Sequence, residues 1–104
     1  MSAHLEQVGD GVFRLSGVLT FDTVGALWAG ESSRLAGSGA LELDLSTVER
    51  TDSAGLALLV EWNRQVRRAG GSLILRQPPE QLLAFARVSG VEGALGLAGA
   101  NVAR

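Results

Sequence analysis

The chain has 104 residues, a formal net charge of −2 and no cysteine. This length suits one domain with its own hydrophobic core, and the missing thiols exclude a disulfide framework, a cysteine nucleophile and a cysteine-based zinc site. All basic residues are arginines, most of them scattered along the sequence, which argues against a surface for nucleic acid or anionic membrane. The N-terminus carries no signal-peptide pattern and no apolar run approaches the length of a membrane span, so we expect a cytoplasmic protein without direct membrane insertion.

The first third of the chain predicts a β-hairpin followed by a helix. A weak strand pattern over residues 3–8 and a clear apolar alternation over residues 12–19 flank a glycine-containing turn. Thr20 or Asp22 can cap the helix that follows, because the side-chain oxygen of either residue can accept a hydrogen bond from an unpaired N–H. We expect this helix to run to about Ala36, where a Gly-Ser-Gly segment ends it.

The remaining sequence predicts two further strand–helix units. They are a buried strand over residues 40–45, a helix from Asp52 or Ser53 to about Ala69, a strand over residues 72–76, and a helix between Pro79 and Gly90. The order β-β-α-β-α-β-α predicts an α/β fold with a mixed sheet of four to five strands and about three helices, since strand–helix–strand units make parallel pairs and the hairpin makes an antiparallel edge. We expect residues 1–104 to form a single domain, with residues 91–97 as a short strand or turn and residues 98–104 as a frayed tail.

The stretch from Asp44 to Val60 carries the candidate site. An apolar strand runs into a polar, turn-forming segment, which places Asp52 and Ser53 at the start of the second helix. Turns from a strand to a helix N-terminus are where α/β domains present backbone N–H groups and small polar side chains to a ligand or partner. We therefore expect a site at Thr51, Asp52, Ser53 and Ala54, together with the first exposed turn of the helix.

Simpler roles compete with a functional one for these polar residues. Either Asp52 or Ser53 can serve as a helix cap worth about 1 kcal/mol, and Ser53 is open to a cap, a partner contact or a phosphosite, since a phosphate suits a helix N-terminus. Neither Asp44 nor Asp52 has a second carboxylate at a suitable spacing for acid–base catalysis, and His4 is the only histidine. Without lysine a Walker motif is impossible. The sequence therefore predicts no enzyme, no cofactor and no metal site.

Two helix surfaces are candidates for a partner contact. One is the flank of the second helix that is predicted to be less buried, which carries Ala54, Ala57, Leu58 and Glu61. This flank forms either a flat patch for a partner or a shoulder that neighbouring elements half cover. The other candidate is the part of the first helix around Trp28.

The two tryptophans receive different predictions. Trp28 shares a face with Val24 and Leu27, which favours core packing, but Glu31 on the same face leaves an exposed interface role open. Trp62 lies on the apolar stripe of the second helix, where we expect core packing.

Two motifs resemble those of STAS domains, the fold of anti-sigma factor antagonists. They are Asp44-Leu-Ser-x-Val and Asp52-Ser-Ala-Gly-Leu56, and with the element order the resemblance covers nearly the whole chain. The full stretch from Asp44 to Leu59 and the pair Leu27-Trp28 are most similar to the MlaB subgroup, the small cytoplasmic subunits of Mla phospholipid-transport ABC complexes.

The resemblance implies a non-enzymatic subunit that binds an MlaF-like ABC ATPase and, through it, indirectly the permease. Such a protein would lie on the cytoplasmic side of the inner membrane, peripheral through its partner, and support phospholipid transport and lipid asymmetry. In the MlaB subgroup the positions of Ser53 and Trp28 are associated with the ATPase contact. Together with the predicted helix surface, this gives a partner-binding set of Ser53, Thr51, Ala54, Ala57, Leu58 and Trp28.

The same resemblance also implies an alternative function. In anti-sigma factor antagonists a serine of this loop is phosphorylated by the anti-sigma kinase, and Ser53 is the nearest hydroxyl here. Many antagonists carry Asp-Ser-Ser-Gly or Asp-Ser-Thr-Gly, whereas this chain has alanine at position 54 and so lacks the second hydroxyl. The alternative is a phospho-regulated antagonist that binds an anti-sigma factor kinase through the Ser53 loop.

Overall fold

A computed structural model describes residues 2–35 and 39–96 of the chain. Its helices and strands follow the predicted order β-β-α-β-α-β-α. The α/β fold class and the order of elements are therefore confirmed. The elements are β1 (Ala3–Gly9), β2 (Val12–Leu19), α1 (Phe21–Glu31), a 3₁₀ turn (Ser32–Leu35), β3 (Ala40–Thr51), α2 (Ser53–Arg68), β4 (Ser72–Arg76) and α3 (Glu80–Ser89).

The four strands form one mixed sheet in the order β1-β2-β3-β4. β1 pairs with β2 antiparallel, as the hairpin pattern predicts, whereas β2, β3 and β4 are parallel to one another. Leu19 at the end of β2 lies opposite Thr51 at the end of β3. Only one residue separates each of these strand ends from a helix, Thr20 before α1 and Asp52 before α2. The sheet therefore starts both helices side by side at the same edge.

Leucine-rich alternation places the core between the sheet and the helices. Leu15 of β2 and Leu43 of β3 are fully buried, as are Leu59 and Trp62 of α2. The Trp62 indole Nε1 donates a hydrogen bond of 2.8 Å to Ser32 Oγ, which satisfies its one polar group inside the core. The prediction that Trp62 packs in the core is confirmed.

β3 is longer than the sequence predicts. The sequence pattern indicates a loop after residue 45, but the strand continues to Thr51. The reason is its pairing with β2, in which Thr47 and Val48 lie opposite Ser16 and Gly17 beyond a register shift. Backbone pairing inside a sheet outweighs the low strand preference of a polar sequence.

The ends of the helices also differ in part from expectation. α1 ends at Glu31 and gives way to the 3₁₀ turn, five residues before the predicted end at Ala36, and residues 36–38 lie outside the described ranges. Thr20 rather than Asp22 is the N-cap residue of α1. Gly90 ends α3 in the left-handed conformation, at φ 72°, as predicted.

The segment after α3 forms turns over residues 92–96, so the structure favours the turn over the alternative of a short strand. Leu97 and the predicted tail over residues 98–104 lie outside the described part of the chain.

The outer face of the sheet carries ion pairs between neighbouring strands. Arg14 Nε lies 3.2 Å from Asp44 Oδ2, and Arg76 Nε lies 3.1 Å from Glu42 Oε1. Partial burial raises the pKa of Asp44, but hydrogen bonds from Ser46 and Arg14, with the attraction to Arg14, outweigh burial and lower that pKa below its ordinary 3.8. Asp44 thus has a structural role, as a carboxylate whose ionised form the fold favours.

Asp44→Asn is expected to destabilise the protein at neutral pH by less than about 1 kcal/mol, because the ion pair is partly exposed. A pKa that is lower in the folded state gives stability that is present above the unfolded pKa and is lost as the pH falls through the folded value. The difference between wild type and variant should therefore shrink as the pH falls below 3.8. Urea unfolding at pH 7 and at about pH 3 measures this effect, and a difference of equal size at both pH values would contradict it.

Candidate functional site

An apolar groove lies between α1 and α2, at the edge of the sheet where both helices begin. Its volume is about 420 Å³. The lining residues are Phe21, Val24, Gly25 and Trp28 from α1, with Ala54, Ala57, Leu58 and Glu61 from α2. Among these residues Glu61 alone is charged. An exposed groove with an almost wholly apolar lining is typical of a site that binds a partner or a ligand.

Two aromatic side chains of α1 stand exposed at this groove. Phe21 is 87 % exposed and Trp28 is 44 % exposed. The buried residues of α1 are Thr23 and Leu27, four positions apart, which turns Trp28 to the shoulder of the helix rather than into the core. The alternative of core packing for Trp28 is therefore wrong. Its side chain is exposed, as a role in an interface requires.

The predicted residues of α2 do come together at the groove, but they differ in exposure. Ala54 is half-buried and Ala57 is exposed. Leu58 is predicted on the less buried flank, yet it is only 5 % exposed. It lines the groove from below because α1 packs over this side of α2. Of the two alternatives for this flank, the flat exposed patch is therefore wrong, and the half-covered shoulder agrees with the structure, in which Leu58 is buried beneath the groove.

Thr51 does not belong to an exposed surface, contrary to the prediction. Its side chain is 2 % exposed. Its backbone N–H donates to Gln81 Oε1 at 3.0 Å, and its hydroxyl donates to the Asp52 carbonyl oxygen at 3.1 Å. Because β3 continues to Thr51, this residue lies inside the packed end of the sheet rather than in an open loop.

Asp52, and not Ser53, caps α2. Asp52 Oδ1 accepts hydrogen bonds from the backbone N–H groups of Ala54 at 2.8 Å and Gly55 at 3.4 Å. Ser53 is the first residue of the helix and is exposed. The cap alternative for Ser53 is excluded, and its side chain lies at the surface beside the groove-lining Ala54.

The second oxygen of Asp52 makes a contact that the sequence pattern does not indicate. Asp52 Oδ2 accepts a hydrogen bond of 3.2 Å from the backbone N–H of Phe21, the first residue of α1. The backbone N–H of Asp52 donates to the Leu19 carbonyl oxygen at 3.0 Å. One carboxylate therefore contacts the first turns of both helices that line the groove.

Phe21 itself was missed by sequence reasoning. The available signal was a large aromatic residue directly after the predicted cap Thr20, outside the apolar face that Val24 and Leu27 share. An aromatic side chain at such a position has no core to enter, and the structure leaves it exposed at the end of the groove.

The described part of the chain offers little for other kinds of site. Over residues 2–35 and 39–96, no cluster of three or more histidine, aspartate or glutamate side chains is arranged to hold a metal ion. Within the same ranges, no helix combines the length and the apolar character that crossing a membrane requires.

Comparisons with known proteins agree on the fold. A family model described as "Mlab, STAS domain" matches residues 3–98. The structure of the anti-sigma factor antagonist SpoIIAA in its unphosphorylated form is similar with a TM-score of 0.63 and 20 % identity, over 86 % of this chain and 82 % of that one. The murine Slc26a9 anion transporter is similar with a TM-score of 0.62 and 19 % identity, over 88 % of this chain but only 18 % of that one. No match was found among curated protein sequences.

Proposed function

Because the chain belongs to the family of MlaB-type STAS domains, we propose that it is a non-enzymatic subunit that binds the ATPase of an Mla-type ABC transporter. It supports assembly and activity of that ATPase in phospholipid transport between membranes. In this proposal the protein is peripheral at the inner membrane through its partner and meets the permease only indirectly.

The observation that carries the proposal is the apolar groove between α1 and α2 with two exposed aromatic side chains. A partner in the groove would bury the exposed apolar surface of Phe21 and Trp28. Burial of aromatic side chains dominates the binding free energy of many interfaces. Small side chains at Ala54 and Ala57 leave room for a helix to approach closely. An apolar helix laid in a groove of this kind is a common mode of recognition between proteins.

Polar groups at the rim suit the same arrangement. Ser53 is exposed next to the groove. Glu61, which lines the groove, forms an ion pair with Arg64, with 3.6 Å between Glu61 Oε2 and Arg64 Nη1. A polar rim around an apolar centre is the usual anatomy of a protein interface. Ser53 would therefore contribute hydrogen bonding and orientation, whereas Trp28 and Phe21 would contribute most of the binding free energy.

A pull-down from the native organism tests the proposed partner. Tagged protein is recovered under mild conditions and the proteins that accompany it are identified by mass spectrometry. Recovery of an ABC ATPase together with its permease is the expected result. Recovery of a kinase-like anti-sigma factor without the transporter subunits would contradict the proposal.

Trp28→Ala is expected to weaken binding to the cognate ABC ATPase about 30-fold, which corresponds to about 2 kcal/mol for a hot-spot tryptophan. Isothermal titration with the purified ATPase measures the affinity. Val88→Ala is the matched control, because Val88 is 89 % exposed on α3 and lies outside the groove. Equal affinities for Trp28→Ala and Val88→Ala would show that Trp28 makes no partner contact.

One observation favours the second candidate, a phospho-regulated anti-sigma factor antagonist. Ser53 is exposed at the N-terminus of α2, where the helix dipole favours the added negative charge of a phosphate. Incubation with a cognate anti-sigma kinase and ATP, followed by mass spectrometry, should then find phosphate on Ser53 and none on a Ser53→Ala variant. An unmodified Ser53 would remove this candidate.

A further inference from the structure

The two helices that line the groove are held together by hydrogen bonds at its two ends. At the far end, Trp62 Nε1 and Gln65 Nε2 of α2 donate to Oγ and to the carbonyl oxygen of Ser32, the residue directly after α1, at 2.8 and 2.7 Å. At the near end, Asp52 accepts from Phe21 on one side and from the first turn of α2 on the other. The groove lies between these two attachments.

Above the buried Leu58, few side chains fill the groove between the two helices. Apart from the adjacent residues and nearby backbone of α1 itself, no atom lies within 4 Å of the position that a Cβ would occupy at Gly25, and Ala54 and Ala57 on the opposite wall are small. With little bulk between the helices above Leu58, the hydrogen bonds at the two ends help to hold this open part of the groove in shape.

We propose that Asp52 is a positioning residue that fixes the start of α1 against the start of α2 and thereby sets the shape of the partner-binding groove. Its effect on partner affinity rests on the proposed function, whereas its effect on the helix starts does not. Asp52 needs no contact with the partner for this role, because it acts through the placement of Phe21 and of the first turn of α2.

The two oxygens of Asp52 have separable roles, and this permits a sharp test. Asparagine caps helices as well as aspartate does, so Asp52→Asn retains an acceptor for the N–H groups of Ala54 and Gly55. The other position becomes an NH₂ group, which donates and cannot accept. It then faces the Phe21 N–H, so the attachment to α1 is lost while the cap of α2 remains.

The experiment combines amide hydrogen exchange with binding. In Asp52→Asn, the Phe21 amide is expected to exchange at least about tenfold faster, while the Ala54 amide is unchanged, as expected for loss of one hydrogen bond to a charged group. Affinity for the purified ABC ATPase, measured well below the unfolding temperature, is expected to fall about tenfold. Asp44→Asn removes the same charge on the outer face of the sheet and should change neither measurement.

The outcomes separate this inference from the proposed function. Unchanged exchange at Phe21, or full ATPase affinity despite faster exchange, would overturn the positioning role. If the wild type itself binds no ABC ATPase, the proposed partner is wrong, and faster exchange confined to the start of α1 still supports the positioning role. If Asp52→Asn does not fold, Asp52→Ser replaces it, since serine keeps a cap acceptor and lacks the second carboxylate oxygen.

Discussion

Gly55→Ala is expected to lower the free energy of unfolding by about 3 kcal/mol, although alanine in a helix is normally favoured over glycine by about 1 kcal/mol. The reason is the close approach of the first turn of α2 to the strand ends. A Cβ at position 55 would lie 2.8 Å from Leu19 Cβ and 2.9 Å from the Leu19 carbonyl oxygen, and closer still to Thr51 Oγ1. Contacts this short force the helix or the strand ends to move.

These neighbours have little freedom to yield. Leu19 and Thr51 are both buried, and the Leu19 carbonyl oxygen accepts the hydrogen bond from Asp52 N–H that places the turn before α2. Moving α2 away from the sheet would therefore break this hydrogen bond and open the core beneath Leu56 and Leu59. The glycine at this position is required for packing rather than for an unusual backbone angle.

Gly30→Ala is the matched control for this prediction. Gly30 lies in α1, and apart from the adjacent residues and nearby backbone of that helix no atom comes within 4 Å of the position that a Cβ would occupy there. The same chemical change at this residue should therefore stabilise the protein by up to about 1 kcal/mol. Thermal unfolding followed by circular dichroism is the measurement. A fall of more than about 10 °C is expected for Gly55→Ala. If both variants unfold at or above the wild-type temperature, the packing argument for Gly55 does not hold.

The spacing of apolar residues predicts most of the fold because most helices and strands of this chain have the periodicity that is typical of their own type. The alternation over residues 12–19 and the helical stripe containing Trp62 each match one regular element in the structure. The segment over residues 46–51 does not, since its polar residues indicate a loop. Pairing with the neighbouring β2 strand makes this segment extended. Such pairing between segments distant in sequence leaves no apolar alternation in residues 46–51 from which it could be predicted.

The candidate site was predictable in part for a related reason. Sequence spacing identifies the start of α2 and the flank that carries Ala57, because a helix fixes the angle between its residues. Spacing does not give the position of a neighbouring helix, so the burial of Leu58 and the exposure of Trp28 could not be derived. The contact between Asp52 and Phe21 joins residues 31 positions apart. It exists because the ends of β2 and β3 lie side by side.

Ala57→Arg is expected to weaken binding to the cognate ABC ATPase at least about 100-fold while leaving the fold intact. Ala57 is exposed, so a long side chain there has solvent to enter in the free protein. In a complex the same side chain would occupy the groove that the partner needs. A guanidinium group enclosed by the apolar lining would lose its hydration, which costs several kcal/mol for an ion without a matched partner.

Pairing with Glu61 would offset only part of this cost. Glu61 lies four residues after Ala57 on the same helix face, where an arginine at position 57 can pair with it, but the paired side chain would still occupy part of the groove. Ala84→Arg provides the control, because Ala84 is exposed on α3 and lies outside the groove. For both variants, the affinity for ATPase immobilised on a surface is measured, and the unfolding temperature is measured separately. Full binding by Ala57→Arg with loss of binding by Ala84→Arg would place the partner on α3 instead of the groove.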